Sequence, residues 1–237
     1  MPLINLTPYK QVALPNTNVS LLMHMEGAGI LDSSGNNTFT NNGGAQLSTA
    51  QKLFGSQSLQ ILGNNVRPLV ANNNGAFTLG SGDWTIELSI NPTSLSSTAM
   101  ILGTWRSGAQ TGATFSWGVF AGINRSIGFS FSTTGSYEGA NDRGAANLLT
   151  LNTWNRLAFV RNDTSLRMYV NGVYAPFTTG GNSIASGQII AAGAVFVIGG
   201  NVDSQFYNGF IDEVRITKGV ALYTGPSYTL ATEAFPD

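Results

Sequence analysis

The chain has 237 residues, a formal net charge of −1 and only 10% charged residues, against about 25% in ordinary globular proteins. It carries no run of like charge and no cysteine, which excludes a basic footprint for nucleic acid or anionic lipid, disulfides, thiol catalysis and zinc sites built on Cys. A single histidine, His24, leaves little room for histidine-based chemistry. The start lacks the charged-then-apolar pattern of a signal peptide, and no apolar run approaches the ~18 residues of a membrane span.

Hydrophobic residues at 42%, aromatics at 10% and 29 glycines suit one large domain of many short strands and tight turns. The first nineteen residues carry Pro2, Pro8 and Pro15, a spacing that disfavours helix and central strand, so residues 1–19 are expected to form an extended arm. From Ser20, SLLMHMEG reads as a buried strand and DSSGNN as a turn cluster; SLQILG is a further short strand. DWTIELSI alternates, with Trp84, Ile86, Leu88 and Ile90 on a core face and Thr85, Glu87 and Ser89 on the other. AMILGTW, FSWGVFAG and IGFSFST follow with Gly-rich breaks.

TWNRLAFVRN and LRMYVNGVY form a pair of strands, and Trp154, like Trp84, is expected in the core. Asn171-Gly172 between Val170 and Val173 is a hairpin turn. AVFVIGG and FIDEVRI close the series, and the window around Ala221, bracketed by Gly219 and Gly225, holds at most one helical turn. The pattern predicts an all-β, two-sheet antiparallel jelly-roll sandwich over 20–225, with residues 226–237 as a C-terminal tail.

FIDEVRI poses a problem. Strict alternation puts Phe210, Asp212, Val214 and Ile216 on the more apolar, core-facing side, and Ile211, Glu213 and Arg215 on the other. An ionised Asp212 in that company costs several kcal/mol unless compensated. A cation, backbone or arginine donors, or a strand read one residue out of register would each resolve it.

The order LLMHMEG, LDSSGNN, KLFGSQSLQILG, DWTIELSINP, LNTWNRLAFVRND, LRMYVNGVY, VIGG and FYNGFIDEVRITKGVALYTG resembles the laminin G-like, concanavalin A-like jelly roll over most of the chain. The ending ITKGVALYTG is most similar to the versions found in tailed-phage virion proteins. In several members of that family an acidic residue after the first strand and the Asp of the IDEVRI strand lie near calcium. The resemblance therefore implies a Ca2+ site at Asp32 and Asp212, and Glu26 is a further candidate ligand. It also implies a virion structural protein, a capsid decoration, fibre or tail-associated part assembled in the host cytoplasm. The arm would dock on other virion subunits, a homo-oligomer is expected, and the loops would contact host-surface glycans. The alternative is a stand-alone carbohydrate-binding lectin, with a glycan-cleaving enzyme third.

Catalysis is not expected. Glycosidases need two carboxylates flanking one bond, whereas Asp212 and Glu213 are adjacent on opposite faces and Glu87 stands alone on its strand. Candidate carbohydrate or partner contacts are Trp105 and Trp117 around a Gly-rich stretch, and Tyr137, Asn141 and Asp142 in the loop GSYEGANDRG. For both tryptophans, a place in the core or at a subunit interface is the competing expectation. His24, inside the first apolar strand, reads as a partly buried, hydrogen-bonded imidazole.

Overall fold

A computed structural model describes residues 18–64, 67–72, 75–105, 115–136, 140–193, 195–201 and 204–237. The expected arm lies outside these apart from Asn18 and Val19. Numbering strands β1 to β15 in chain order, one sheet contains β1 (Val19–Met23), β3 (Ala45–Ser48), β4 (Ser58–Leu62), β6 (Trp84–Pro92), β11 (Asn155–Asn162), β12 (Ser165–Val170), β13 (Val173–Tyr174) and β15 (Asn208–Lys218). Its order is β13-β12-β11-β6-β15-β4-β3, with β1 also paired to β15. The second sheet contains β2 (Phe39–Asn41), β5 (Leu69–Asn72), β7 (Ala99–Gly103), β8 (Trp117–Gly122), β9 (Ser126–Ser132), β10 (Ala140–Ala145) and β14 (Val195–Ile198). Its order is β10-β9-β8-β7-β14-β5-β2. No α-helix occurs among the described residues.

The core lies between the sheets. β6 contributes Trp84, Ile86, Leu88 and Ile90, as its alternation predicts, and β8 and β9 answer with Trp117, Val119, Ile127, Phe129 and Phe131. Trp84 meets Phe129 at 5.1 Å, and Phe77 stacks on Phe196 at 4.1 Å. Each such side chain contributes roughly 1.5–3 kcal/mol on burial. Trp154, expected in the core, is instead half-buried just ahead of β11. The predicted hairpin turn is present: Asn171 and Gly172 have φ of 51° and 78°, and Val170 pairs with Val173.

β15 departs from strict alternation. Asp212 pairs with Ser89 and Arg215 with Glu87, so Glu213 and Val214 together oppose the one residue between, Leu88. Glu213 takes φ 50°, the mark of a β-bulge. The extra residue shifts the phase of the strand. Ile211, Val214 and Ile216 belong to the core, whereas Asp212, Arg215 and Thr217 pair with Ser89, Glu87 and Thr85 on the sheet's outer face. The expected grouping of Phe210 and Asp212 with Val214 and Ile216 is therefore incorrect.

That outer face is covered by chain, which is why Thr85, Glu87 and Ser89 are buried although they point away from the core. Residues 219–237 run across it. Leu222 N–H donates to Thr85 Oγ1 at 3.0 Å, Tyr228 N–H to the Gly172 carbonyl at 2.8 Å, and Tyr169 O–H to the Gly225 carbonyl at 2.8 Å. Tyr223 and Tyr228 stack at 3.7 Å beside Tyr169. The tail is thus a second packed layer on the sandwich.

Candidate functional site

On the second sheet, alternation sends Trp117, Val119 and Ala121 inward and leaves Gly118, Phe120 and Gly122 outward. On β9 the outward set is Ser126, Gly128 and Ser130. Gly128 lies between Phe120 of β8 and Gly144 of β10. A Cβ on Gly128 would come within 2.4 Å of the Arg143 carbonyl oxygen, and one on Gly118 within 2.7 Å of the Phe120 ring. These glycines let the strands and the ring lie close, and they lower the floor of the face. The result is a trough of about 320 Å³ whose lining includes Thr98, Phe120, Ile123, Ser126, Ser130 and Thr179. It offers one half-buried aromatic ring, an exposed isoleucine and several hydroxyls.

Trp105 is 6% exposed and meets Phe120 edge-on at 6.2 Å, so it backs the trough's aromatic ring. Trp117 is fully buried, with its indole N–H donating to the Phe77 carbonyl at 2.7 Å. For Trp117 the core expectation holds and the contact expectation does not, because the strand's phase turns it inward. Asp142 is exposed and pairs with Ser130 on the trough side of β10. Asn141 pairs with Phe131 on the reverse side. Tyr137 lies outside the described residues. Phe120, Ser126 and Ser130 were missed; their one trace in the sequence is the small–large alternation of FSWGVFAG and IGFSFST.

The three expected calcium ligands stand apart. Asp32 Oδ1 accepts from the Leu22 and Ser34 amides at 3.0 Å and from the Ser34 hydroxyl at 2.7 Å; its Oδ2 accepts from the Asn37 amide and side chain. Glu26 accepts from the Ser56 amide and hydroxyl and from the Gln57 amide. Asp212 Oδ2 accepts from the Leu53 and Phe54 amides at 2.8 and 3.4 Å, and Oδ1 from the Glu213 amide at 3.0 Å. Burial pushes Asp212 up to about 7 while the Leu53 and Phe54 amides pull it back. Each carboxylate closes a different loop, and no three His, Asp or Glu side chains among the described residues converge to hold a metal. Calcium takes 6–8 oxygens, whereas these oxygens face N–H and O–H donors, so the set does not fit a shared Ca2+. Backbone donors and the register shift together account for the buried Asp212.

A polar layer fills the interface under the tail. Arg215 bonds Glu87, and Tyr223 O–H donates to the other oxygen of Glu87 at 2.6 Å. His24 bridges Glu213 through Nδ1 at 2.9 Å and Asp237 through Nε2 at 3.1 Å, while the Phe235 amide donates to Glu213. The hydrogen bond to Glu213 raises the His24 pKa against the opposing effect of burial.

The profile described as the concanavalin A-like lectin/glucanases superfamily matches residues 63–222, and the chain belongs to that superfamily. No curated protein matches it in sequence. Solved structures share the fold at low identity. The binding domain of Paraclostridial Mosquitocidal Protein 1 is similar at 15% identity and TM-score 0.61, over 87% of this chain and 50% of the other. Domain 4 of AbnA, a GH43 extracellular arabinanase from Geobacillus stearothermophilus in complex with arabinotriose, gives 18% and 0.60, over 86% and 94%. The receptor binding domain of botulinum neurotoxin C/D mosaic serotype gives 14% and 0.62, over 88% and 50%. The chain thus spans about half the length of the two toxin domains.

Proposed function

We propose that this member of the superfamily is a non-catalytic carbohydrate-binding module, and that the β8–β10 trough is its sugar site. The observation that carries the reading is the asymmetry of the sandwich. The tail closes the outer face of one sheet, whereas glycines hollow the other around Phe120 and a set of hydroxyls. A flat ring with a few polar groups is the usual make-up of a small-ligand site. The arabinotriose complex of AbnA domain 4 supports the reading by analogy of fold. Glycoside cleavage would require a carboxylate pair; no carboxylate among the described residues lines the trough, and Asp142 alone stands near it.

The virion placement draws no support from the similar structures, which favour the lectin alternative. Such a module serves equally on a virion, with the 1–19 arm docked on neighbouring subunits, or on another carrier.

The test is a glycan array with the wild type and Phe120→Ala, checked for matched melting temperatures. Binding should fall about tenfold in the variant, the equivalent of roughly 1.4 kcal/mol. Undiminished binding by Phe120→Ala would remove the trough as the site.

A further inference from the structure

At the β8–β9 turn the lining of the trough reaches Ile123, Asn124 and Ala146. A second hollow, of about 470 Å³, starts from the same turn and is lined by Leu95, Asn124, Arg125, Asn147, Thr150 and Leu151. The two share Asn124, and the chain passes from Ala146 in one to Asn147 in the other. Asn124 lies in the turn itself, beyond the last β8–β9 pair, Gly122 with Ser126.

The second hollow stands on tied backbone. The Asn147 amide donates to the Asn124 carbonyl at 2.8 Å, and the Leu148 and Leu149 amides share the Arg125 carbonyl at 3.1 Å, which joins the turn to the β10–β11 connection. Asn124, Arg125 and Asn147 have φ of 60°, 52° and 59°, a left-handed backbone that is uncommon outside glycine and persists where the surroundings impose it. The buried Asn155 side chain bonds both the amide and the carbonyl of Thr150 at 2.8 Å, and the Asn152 amide donates to the Pro92 carbonyl at 2.8 Å. On this frame Leu151 is 37% exposed, and Asn124, Arg125, Asn147 and Thr150 are exposed as well. An apolar side chain among amides and a hydroxyl repeats the make-up of the trough, where Phe120 and Ile123 stand among hydroxyls.

We propose that the two hollows are consecutive subsites for one linear oligosaccharide, so that the module recognises a run of several sugar units rather than a single one. The inference rests on the trough being the sugar site and extends it past the turn. At about 320 Å³ the trough alone lies at the small end of the ~300–1,000 Å³ range of small-ligand sites, and the second hollow is the larger of the two. Because hydrogen bonds already hold its backbone, little ordering is left to offset the added contact, and a longer chain gains affinity.

The experiment titrates the full chain, by calorimetry, with cello-, xylo- and arabino-oligosaccharides of two to six units. In at least one series the tetramer should bind about tenfold more tightly than the dimer. Leu151→Ser and Thr150→Ala, both at exposed positions, should each take away part of that gain and leave dimer affinity unchanged, whereas Phe120→Ala should weaken every length. Dimer and hexamer bound equally tightly overturn this proposal alone. A gain with length that both Leu151→Ser and Thr150→Ala retain also overturns it, since longer chains then profit only from having more registers in which to sit. Failure of every sugar to bind at any length overturns the trough reading itself.

Discussion

Arg215 and Glu87 face each other across β15 and β6, and both Nε and Nη2 of the arginine reach the same carboxylate oxygen at 2.7 Å. Neither side chain is more than 4% exposed, and the Phe235 ring caps the guanidinium at 3.9 Å. The outer face of this sheet therefore holds a buried ion pair between two apolar layers.

Removing one partner strands the other charge. Glu87→Ala should cost about 3 kcal/mol in urea unfolding, and the double variant Glu87→Leu with Arg215→Leu should cost less than either single substitution. Additive losses across the cycle would show that the two residues are not coupled.

The pH dependence of stability has a definite sign. His24 has its folded pKa raised above 6.5, so its contribution is complete below 6.5 and fades as pH climbs through the folded value. Asp212, at about 7 folded against 3.8 unfolded, also binds its proton more tightly in the native state, so its contribution is complete below 3.8 and is lost as pH climbs to about 7. The urea midpoint should fall from pH 5.5 to about 7 through Asp212 and, above 6.5, through His24 as well, and His24→Gln should flatten the upper part of the slope. A midpoint that rises over this range would contradict both assignments.

The tail should be integral to the sandwich. Ending the chain after Gly225 removes Tyr228 and Phe235 from their packing, a loss of about 3–6 kcal/mol at ~1.5–3 per side chain. Thermal unfolding followed by near-UV circular dichroism reads this directly, and a truncated protein as stable as the full chain would refute the layer.

Chelation should be silent. Melting curves in calcium and in EDTA should coincide, because Asp32, Asp212 and Glu26 already serve separate loops. Asp32→Ala should lower both curves alike, by about 1–3 kcal/mol for the donors left unsatisfied. A calcium-dependent rise in the wild type would reinstate a metal site.

Much of the fold was legible because β6 contrasts its faces so sharply: Trp84, Ile86, Leu88 and Ile90 against Thr85, Glu87 and Ser89. The Asn171-Gly172 turn was legible because both residues must adopt positive φ. The bulge was not, since Glu213 is a residue type that nothing marks for a left-handed backbone. The trough was hidden for another reason. It is shaped by side chains that are missing, at Gly118, Gly128 and Gly144 on three strands, and their adjacency exists only once the strands pair. Trp117 and Trp105 looked equivalent in sequence; the inward phase of β8 buries the first, and the second backs the Phe120 ring.

The bulge at Glu213 is a residue spliced into β15 without cost to its two faces. Deleting it would leave Val214 alone opposite Leu88 and restore an unbroken pleat, with Asp212, Arg215 and Thr217 still on the outer face and Ile211, Val214 and Ile216 still in the core. What the deletion would remove is the carboxylate that His24 and the Phe235 amide share. The spliced residue therefore acts as a clasp: it fastens the end of the chain to the sandwich, and its loss should loosen that end while the strand beneath stays in step.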